Sequence, residues 1–507
     1  MEEEKSQLKK GVILNYINIG LGNLIPIFYT PVMLQLLGQS EYGLYKLSSS
    51  VTSYLSLVSL GIGSAVTRYL IKYKVEGSKK DEEKILGLFM IIFQIIAMAT
   101  LLIGTFLIFN LHIWYGKSLT SSQLMRMKIL VALMVCNMAI SFSVSPYISV
   151  VNAHEKFVFL QYMNILSTCI APIANLVMLY MGYKSIGMAI STLVINVIVQ
   201  LLYLIYVRKK LRIHARYRKL PLELLKEILV FSFWIFLANV VSQLYSATDT
   251  VMIGAIPALA TVGTAIYNVG NTLNSIVFTM TTGISNVLSP KTNRMVFAGA
   301  NKNELLKFAI SIGRIQAYII SLIVTGFIAF GQPFIYFYAG SKYSDAYWVA
   351  IFMMVPNLIP LVQSVCLNII VAENRHRFRS IVYLGIAILN VIGTWVLMQS
   401  MGIIGAALMT GIALIIGQGF VMNWYYWKVI KLDIIGFWKN IIRISIAPVI
   451  MVVVGTVALQ VITVKNLWMV LILGVMYVVL FGIASWILEM NDYEKSLVTG
   501  MFHKIKR

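Results

Sequence analysis

The sequence predicts an all-α, polytopic membrane protein of about fourteen transmembrane helices. Three observations predict it. Hydrophobic residues make up 59% of the 507 residues and charged residues only 12%, about half the usual share of a soluble domain. The mean hydropathy is +0.83. The apolar surplus also recurs along nearly the whole chain in unbroken runs, each near the roughly 20 residues a helical span needs. These runs fall near 11–37, 43–71, 85–110, 127–151, 157–181, 185–207, 228–254, 260–289, 305–331, 346–372, 379–399, 402–427, 441–463 and 466–488. A membrane barrel would show alternating segments of about ten residues instead. A soluble enzyme and a nucleic-acid-binding domain are excluded. The net charge of +22 sits mainly in the loops, where it sets topology.

Each element has its own justification. Residues 1–10 are polar and charged, and Gly11 opens a full-length span, so no cleavable signal peptide is expected. Lys and Arg accumulate on one side of the membrane: Lys5, Lys9 and Lys10, then Lys72 to Lys84, then the central stretch Arg208 to Lys226, then Lys291, Arg294 and Lys302, then Arg375 to Arg379, then Lys428 to Lys439, and the tail. The other side receives little beyond Lys117, Arg126, Lys128, Lys184, Lys342 and Lys465. This bias predicts that both termini are cytoplasmic. Cys136, Cys169 and Cys366 all fall in apolar runs and have no metal-ligand spacing. No cofactor and no metal is expected.

The central basic loop marks the middle of a repeat. Thr30–Leu34 aligns with Asp249–Ile253, Val150–Phe157 with Ile370–Phe378, and Gly182–Gly187 with Met401–Gly405, all at an offset of about 219. Six helices per half is an even number, so the repeat is parallel, with its axis along the membrane normal. The expected organisation is an N-lobe over 1–210, a basic linker over 211–227, a C-lobe over 228–430, and helices thirteen and fourteen with the tail over 431–507. Loops on the outer side are short. Walker, zincin and nucleophile-elbow motifs are absent, which argues against an enzyme, including a membrane glycan polymerase.

Ionisable and amide groups at membrane depth are costly and mark pathways by default. Lys46, Arg68, Asp249 and Arg314 are the charged candidates, and Asp249 is also the candidate for cation coupling. The second run is crowded with hydroxyls from Ser48 to Thr67, and the eighth with Asn268, Asn271, Thr272, Asn274, Ser275, Thr279, Thr281, Thr282, Ser285 and Asn286. These two runs hold equivalent places in the repeat and read as opposite walls of one polar cavity. For each candidate there is a plainer reading as well: helix capping for Asp249, snorkelling for Arg314, interface placement for Lys46 and Arg68, and helix-packing glue for the hydroxyls.

One resemblance rests on local motifs. Tyr29-Thr30-Pro31, Leu36-Leu37-Gly38, Glu41-Tyr42-Gly43-Leu44-Tyr45, Leu60-Gly61-Ile62-Gly63 and Arg68-Tyr69 resemble the Wzx-type polysaccharide-repeat flippases. These belong to the multidrug/oligosaccharidyl-lipid/polysaccharide exporter superfamily. Asp249 to Gly254, Val262-Gly263 and Tyr267-Asn268-Val269 agree with it in the second half. The resemblance implies two six-helix bundles around a cationic cavity in the cell membrane. It implies flipping of a polyprenyl-diphosphate-linked oligosaccharide from the inner to the outer leaflet, with H⁺ or Na⁺ as possible coupling ions and glycosyltransferases or a polymerase of the same pathway as partners. Carried onto this chain, Lys46, Arg68, Asp249 and Arg314 would contact diphosphate or sugar. The alternatives are a multidrug and toxin extrusion exporter and a peptidoglycan-precursor flippase. The first run, 11–37, lacks the Asp or Glu that the former usually carries.

Overall fold

The computed structural model describes residues 2–505 apart from 222 and 374, and side chains outside 1–9, 12, 283–287, 376, 377 and 501–507. The side chains of Lys5, Lys9, Ser285, Asn286 and Arg377 therefore lie outside the described residues. Among those described, the chain is helical and contains no strand.

The chain divides into two compact units, residues 1–265 and 266–507. The first holds α1 (Glu2–Leu37), α2 (Gln39–Ser53), α3 (Ile62–Glu76), α4 (Lys79–Tyr115), α5 (Ser121–Ala153), α6 (Phe157–Tyr180), α7 (Lys184–Ile205), α8 (Leu224–Ala255) and the start of α9 (Ala260–Phe297). The second holds the rest of α9 with α10 (Lys302–Ala339), α11 (Ala346–Val362), α12 (Ser364–Ala372), α13 (His376–Leu414), α14 (Met422–Lys428), α15 (Ile434–Ile442), α16 (Ile446–Val461), α17 (Leu467–Leu488) and α18 (Asp492–Ile505). Packing thus groups α8 with the first six spans, whereas the sequence repeat begins its second half at that helix.

Among the described residues, eleven helical stretches are long and apolar enough to cross a membrane; α11 with α12, bent by 49°, makes a twelfth. One of the eleven, Phe378–Lys428, runs for 51 residues. At 1.5 Å per residue it would reach about twice the bilayer thickness. It breaks at Gly402 (φ 59°, ψ −138°), the place where the apolar runs 379–399 and 402–427 meet. Helix α9 is 38 residues long, but its many Asn, Ser and Thr residues keep it out of the apolar set. The expected count of about fourteen is roughly consistent with this.

Local chemistry sets the helix ends. Thr120 opens α5 with reciprocal bonds: its Oγ1 accepts from Gln123 N (3.2 Å), and its own N–H donates to Gln123 Oε1 (2.9 Å). Asn301 and Asn466 cap α10 and α17 through their side-chain oxygens.

Side chains tie the corners of the first unit together at two ends. At one end Glu41 accepts from Arg126 (2.8 Å) and from Ser185 Oγ (2.5 Å), joining the starts of α2, α5 and α7. At the other, His154 Nε2 lies 2.6 Å from Glu82 Oε1, and Lys74 donates to the Ala153 carbonyl. Such corners meet only if successive spans alternate in direction. The second unit repeats the scheme about 220 residues later, with Lys302 Nζ 2.5 Å from Glu373 Oε1. A buried asparagine also recurs: Asn175 accepts from Ser191 Oγ, and Asn390 accepts from Thr410 Oγ1 at 3.1 Å. The same contacts thus recur in the two halves of the chain at about the offset of the sequence repeat.

Candidate functional site

The hydroxyl-rich second span is not one helix. It runs as α2, a 3-10 segment Tyr54–Ser59, and α3. The break falls at Leu60 (φ 48°) and Gly61 (φ 71°), both left-handed. Irregular backbone at membrane depth persists where protein buries it or water reaches it. Here α8 covers one side. A Cβ at Gly61 would stand 2.9 Å from the Ser232 carbonyl oxygen and 2.8 Å from Phe236 N, so only glycine admits this approach.

The α2–α3 span and α8 pack antiparallel along their whole length. A Cβ at Gly254 would stand 2.4 Å from Leu47 Cδ1, and, just beyond α8, the carbonyl oxygen of Thr261 at the start of α9 would stand 1.7 Å from a Cβ at Gly43. Tyr54 OH and Thr248 Oγ1 share a hydrogen bond of 2.6 Å, Gln243 donates to Ser53, and the Arg68 guanidinium lies 4.5 Å from the centre of the Phe231 ring. Small residues let the backbones close, and polar side chains lock the register.

The other face of the same span is polar and open. Ser49, Ser56 and Ser64 are exposed and Lys46 is partly so, and Ser53 and the exposed Arg68, which also touch α8, border this face. Within α2 the spacing of Lys46, Ser49 and Ser53 draws a stripe, and within α3 Ser64 and Arg68 draw another, so that a cation stands at each end of the broken span. Part of the hydroxyl set is packing instead: Ser48 and Thr52 are buried and donate to the carbonyls of Leu44 and Ser48. Helix α9 carries a second stripe of Asn271, Ser275, Thr279 and Thr282, each half-buried or exposed. Ser275 and Thr279 donate to carbonyls four residues back.

The site candidates separate clearly. In the first unit, Lys46 lies 5.7 Å from the Tyr42 ring centre and has no carboxylate partner among the described residues. Arg68 stands 22 residues further on, roughly 30 Å away at helical rise, so the two do not form one site. Asp249 is 2% exposed and sits beside the Tyr54–Thr248 bond. In the second unit, Asn268 is buried and Asn271 half-buried.

Arg314 also belongs to the second unit, and its guanidinium is fully engaged. Nε and Nη2 reach the two oxygens of Glu494 (2.5 and 2.9 Å), Nη1 donates to the Asn440 carbonyl (3.2 Å), and Nη2 also donates to the Glu489 carbonyl (3.0 Å). This geometry favours a clamp on the C-terminal elements over a cavity cation. Sequence reasoning missed this partner, because Glu494 stands in a tail that reads as solvated.

Burial pushes the Glu489 carboxyl above its ordinary value of 4.5, outweighing the bond that it accepts from Ala447 N. The folded form therefore holds this proton more tightly than the unfolded one. That contribution is fully present below about pH 4.5 and is lost as pH rises through the raised value. Glu489→Gln is expected to flatten the decline in thermal stability across that window in detergent melts. An unchanged pH slope would refute the assignment.

The sequence signature of polysaccharide biosynthesis proteins matches residues 8–294. The chain belongs to the polysaccharide biosynthesis protein family. The match covers the first unit of this family member from residue 8 onward and continues along α9 to residue 294, so it takes in both hydroxyl stripes. Among curated proteins, no sequence matches the chain. Solved structures share its fold. The lipid II flippase MurJ, in an inward closed conformation, superposes with a TM-score of 0.73 over 96% of this chain and 99% of its own, at 17% identity. An inward-facing multidrug resistance MATE family transporter of the MOP superfamily gives 0.65 over 82% and 95%, at 14% identity. A mutant of the Vibrio cholerae MATE transporter VcmN gives 0.57 over 85% and 99%, at 14% identity. At these identities the likeness is one of fold.

Proposed function

We propose that this multi-pass membrane protein is a transporter and not an enzyme. It moves polyprenyl-diphosphate-linked oligosaccharide units from the inner to the outer leaflet of the cell membrane by alternating access, with both termini cytoplasmic. The observation that carries the reading is the open stripe from Lys46 to Arg68 on the broken second span. Hydrocarbon gives such a face nothing to bond to, whereas a water-filled passage for sugars does. The second unit carries a polar stripe of its own on α9. A diphosphate and several sugars face a core about 30 Å thick. A polar passage open to one leaflet at a time removes that barrier while the polyprenyl tail stays in lipid.

In this reading Lys46 and Arg68 attract the diphosphate at the two ends of the stripe, and Asn268 and Asn271 bond sugar hydroxyls. Asp249 is the group suited to cation coupling by H⁺ or Na⁺. Arg314 acts by holding the C-terminal elements in place. Two phosphate charges moving outward gain on the order of 5 kcal/mol per 100 mV of inside-negative potential, which makes uphill export possible in principle without nucleotide hydrolysis. Glycosyltransferases and a polymerase of the same pathway are the expected partners.

The test is a leaflet assay in proteoliposomes with a labelled polyprenyl-diphosphate glycan. Translocation above the empty-liposome rate is expected. Lys46→Gln should slow it about tenfold, the loss of one charge-assisted contact of 1–2 kcal/mol. Asp249→Asn should remove any dependence on a pH or Na⁺ gradient. Drug efflux without glycan movement would move the assignment to a multidrug exporter, and movement of a peptidoglycan precursor alone would make it a precursor flippase.

A further inference from the structure

The most basic stretch of the chain is not a loose loop. After α7 the backbone makes a π-helical turn, Tyr206–Leu211, and Arg212 turns it left-handed (φ 55°). Ile213 is 1% exposed, and its N–H donates to the Val207 carbonyl (3.3 Å). Leu211, Ala215 and Leu220 pack on the same core, which includes Ile85, Leu86 and Phe89 of α4. Arg216 N donates to the Glu83 carbonyl at 2.9 Å. The Arg216 carbonyl lies so close to Gly87 that a Cβ there would come within 2.1 Å of it. Arg208 donates to Tyr147 OH at 3.3 Å. The segment is thus fastened at five points to α4, α5 and its own turn.

What it presents outward is a field of cations. Lys209, Lys210, Arg212, Arg216, Arg218 and Lys219 are all exposed, and none has a carboxylate partner among the described residues. Tyr217, between two arginines, is 58% exposed. Topology alone asks only for positive charge on this side. It does not ask that the charge be fixed in place by a buried isoleucine and a backbone seat on a glycine. An exposed tyrosine among cations matches the headgroup layer, where an amphipathic ring sits half in apolar and half in polar surroundings. An acidic protein surface would not require it.

We propose that residues 208–219, seated on α4, form a docking platform for anionic phospholipid headgroups of the adjoining leaflet. The fixed spacing gathers several phosphates against the start of α4 and the end of α7. This rests on the membrane placement argued above but not on the transported substrate.

The test uses the full chain, purified in mild detergent and exchanged into nanodiscs of phosphatidylcholine with or without phosphatidylglycerol, with retained lipid counted by native mass spectrometry. The wild type should retain phosphatidylglycerol selectively, and added salt should weaken retention. Lys209→Gln/Lys210→Gln/Arg212→Gln should lower retention by roughly fivefold per charge removed, at about 1 kcal/mol each. Gly87→Leu keeps every charge but unseats the segment and should lose selectivity as well. Thermal melts confirm that each variant is folded, and Lys117→Gln/Lys342→Gln/Lys465→Gln serves as a charge-matched control. Equal retention of both lipids by the wild type would overturn the proposal. So would a folded Gly87→Leu protein that binds like the wild type, or retention of an acidic peptide in preference to lipid. Glycan flipping is not read in this assay, so a failed flippase assignment and a failed platform give different results.

Discussion

Replacing Arg314 with alanine is expected to destabilise the second unit by about 3–5 kcal/mol, because it leaves the Glu494 carboxylate buried without its cation. Both partners are buried, so water cannot take over the lost bonds. Arg314 ties α10 to α15 and to both sides of the α17–α18 turn. The loss should therefore appear as a lower melting temperature and as protease cutting near residues 489–494. Arg314→Lys should rescue little, since one ammonium cannot make the paired bonds to Glu494 and reach the two carbonyls as well. Arg314→Met combined with Glu494→Leu should recover most of the stability, because a buried ion pair is often no better than apolar packing. A normal melting temperature for Arg314→Ala, with flipping abolished, would return the residue to the transport path.

The second large effect is expected at Gly43. A valine there would drive a branched side chain into the Thr261 carbonyl oxygen. A backbone atom cannot swing aside, so the contact between α2 and the start of α9 must open. The cost should reach or exceed the upper end of the roughly 1–3 kcal/mol typical of overpacking. The lost register should also disturb the Ser40–Thr261 bond of 3.1 Å. Gly63 provides the control. It lies in α3 with nothing within 4 Å of an added Cβ, so Gly63→Ala should be neutral or mildly stabilising through helix propensity. Melts of the two variants side by side decide the matter. Equal melting temperatures would mean that the seam is looser than its geometry.

The fold was legible wherever one physical rule acts along the chain. Span length, loop charge and the spacing of Thr30-Pro31 against Asp249-Thr250 follow from bilayer thickness, insertion bias and duplication, and all three can be read locally. The polar character of the second span was legible for the same reason. What stayed hidden depends on partners distant in sequence. The Leu60–Gly61 break shows only as an ordinary Leu-Gly pair until α8 is laid against it. Arg314 looked like a cavity cation because Glu494 lies 180 residues away. The division of the hydroxyls into buried Thr52 and open Ser56 requires knowing which face α8 covers. The basic linker could be read as charge, but its seating on Gly87 could not.

The two corner pairs, Glu82 with His154 and Lys302 with Glu373, occupy equivalent places in the two halves, but the acid stands on the opposite partner in each. A duplicated chain risks having one half dock onto the other's loop while it is still being threaded into the bilayer. Here that mistake would set Glu82 against Glu373 and Lys302 against His154. The first crossing sets carboxylate against carboxylate and the second leaves Lys302 facing an imidazole in place of its acid, so the exchanged placement of the acids disfavours the crossed pairing.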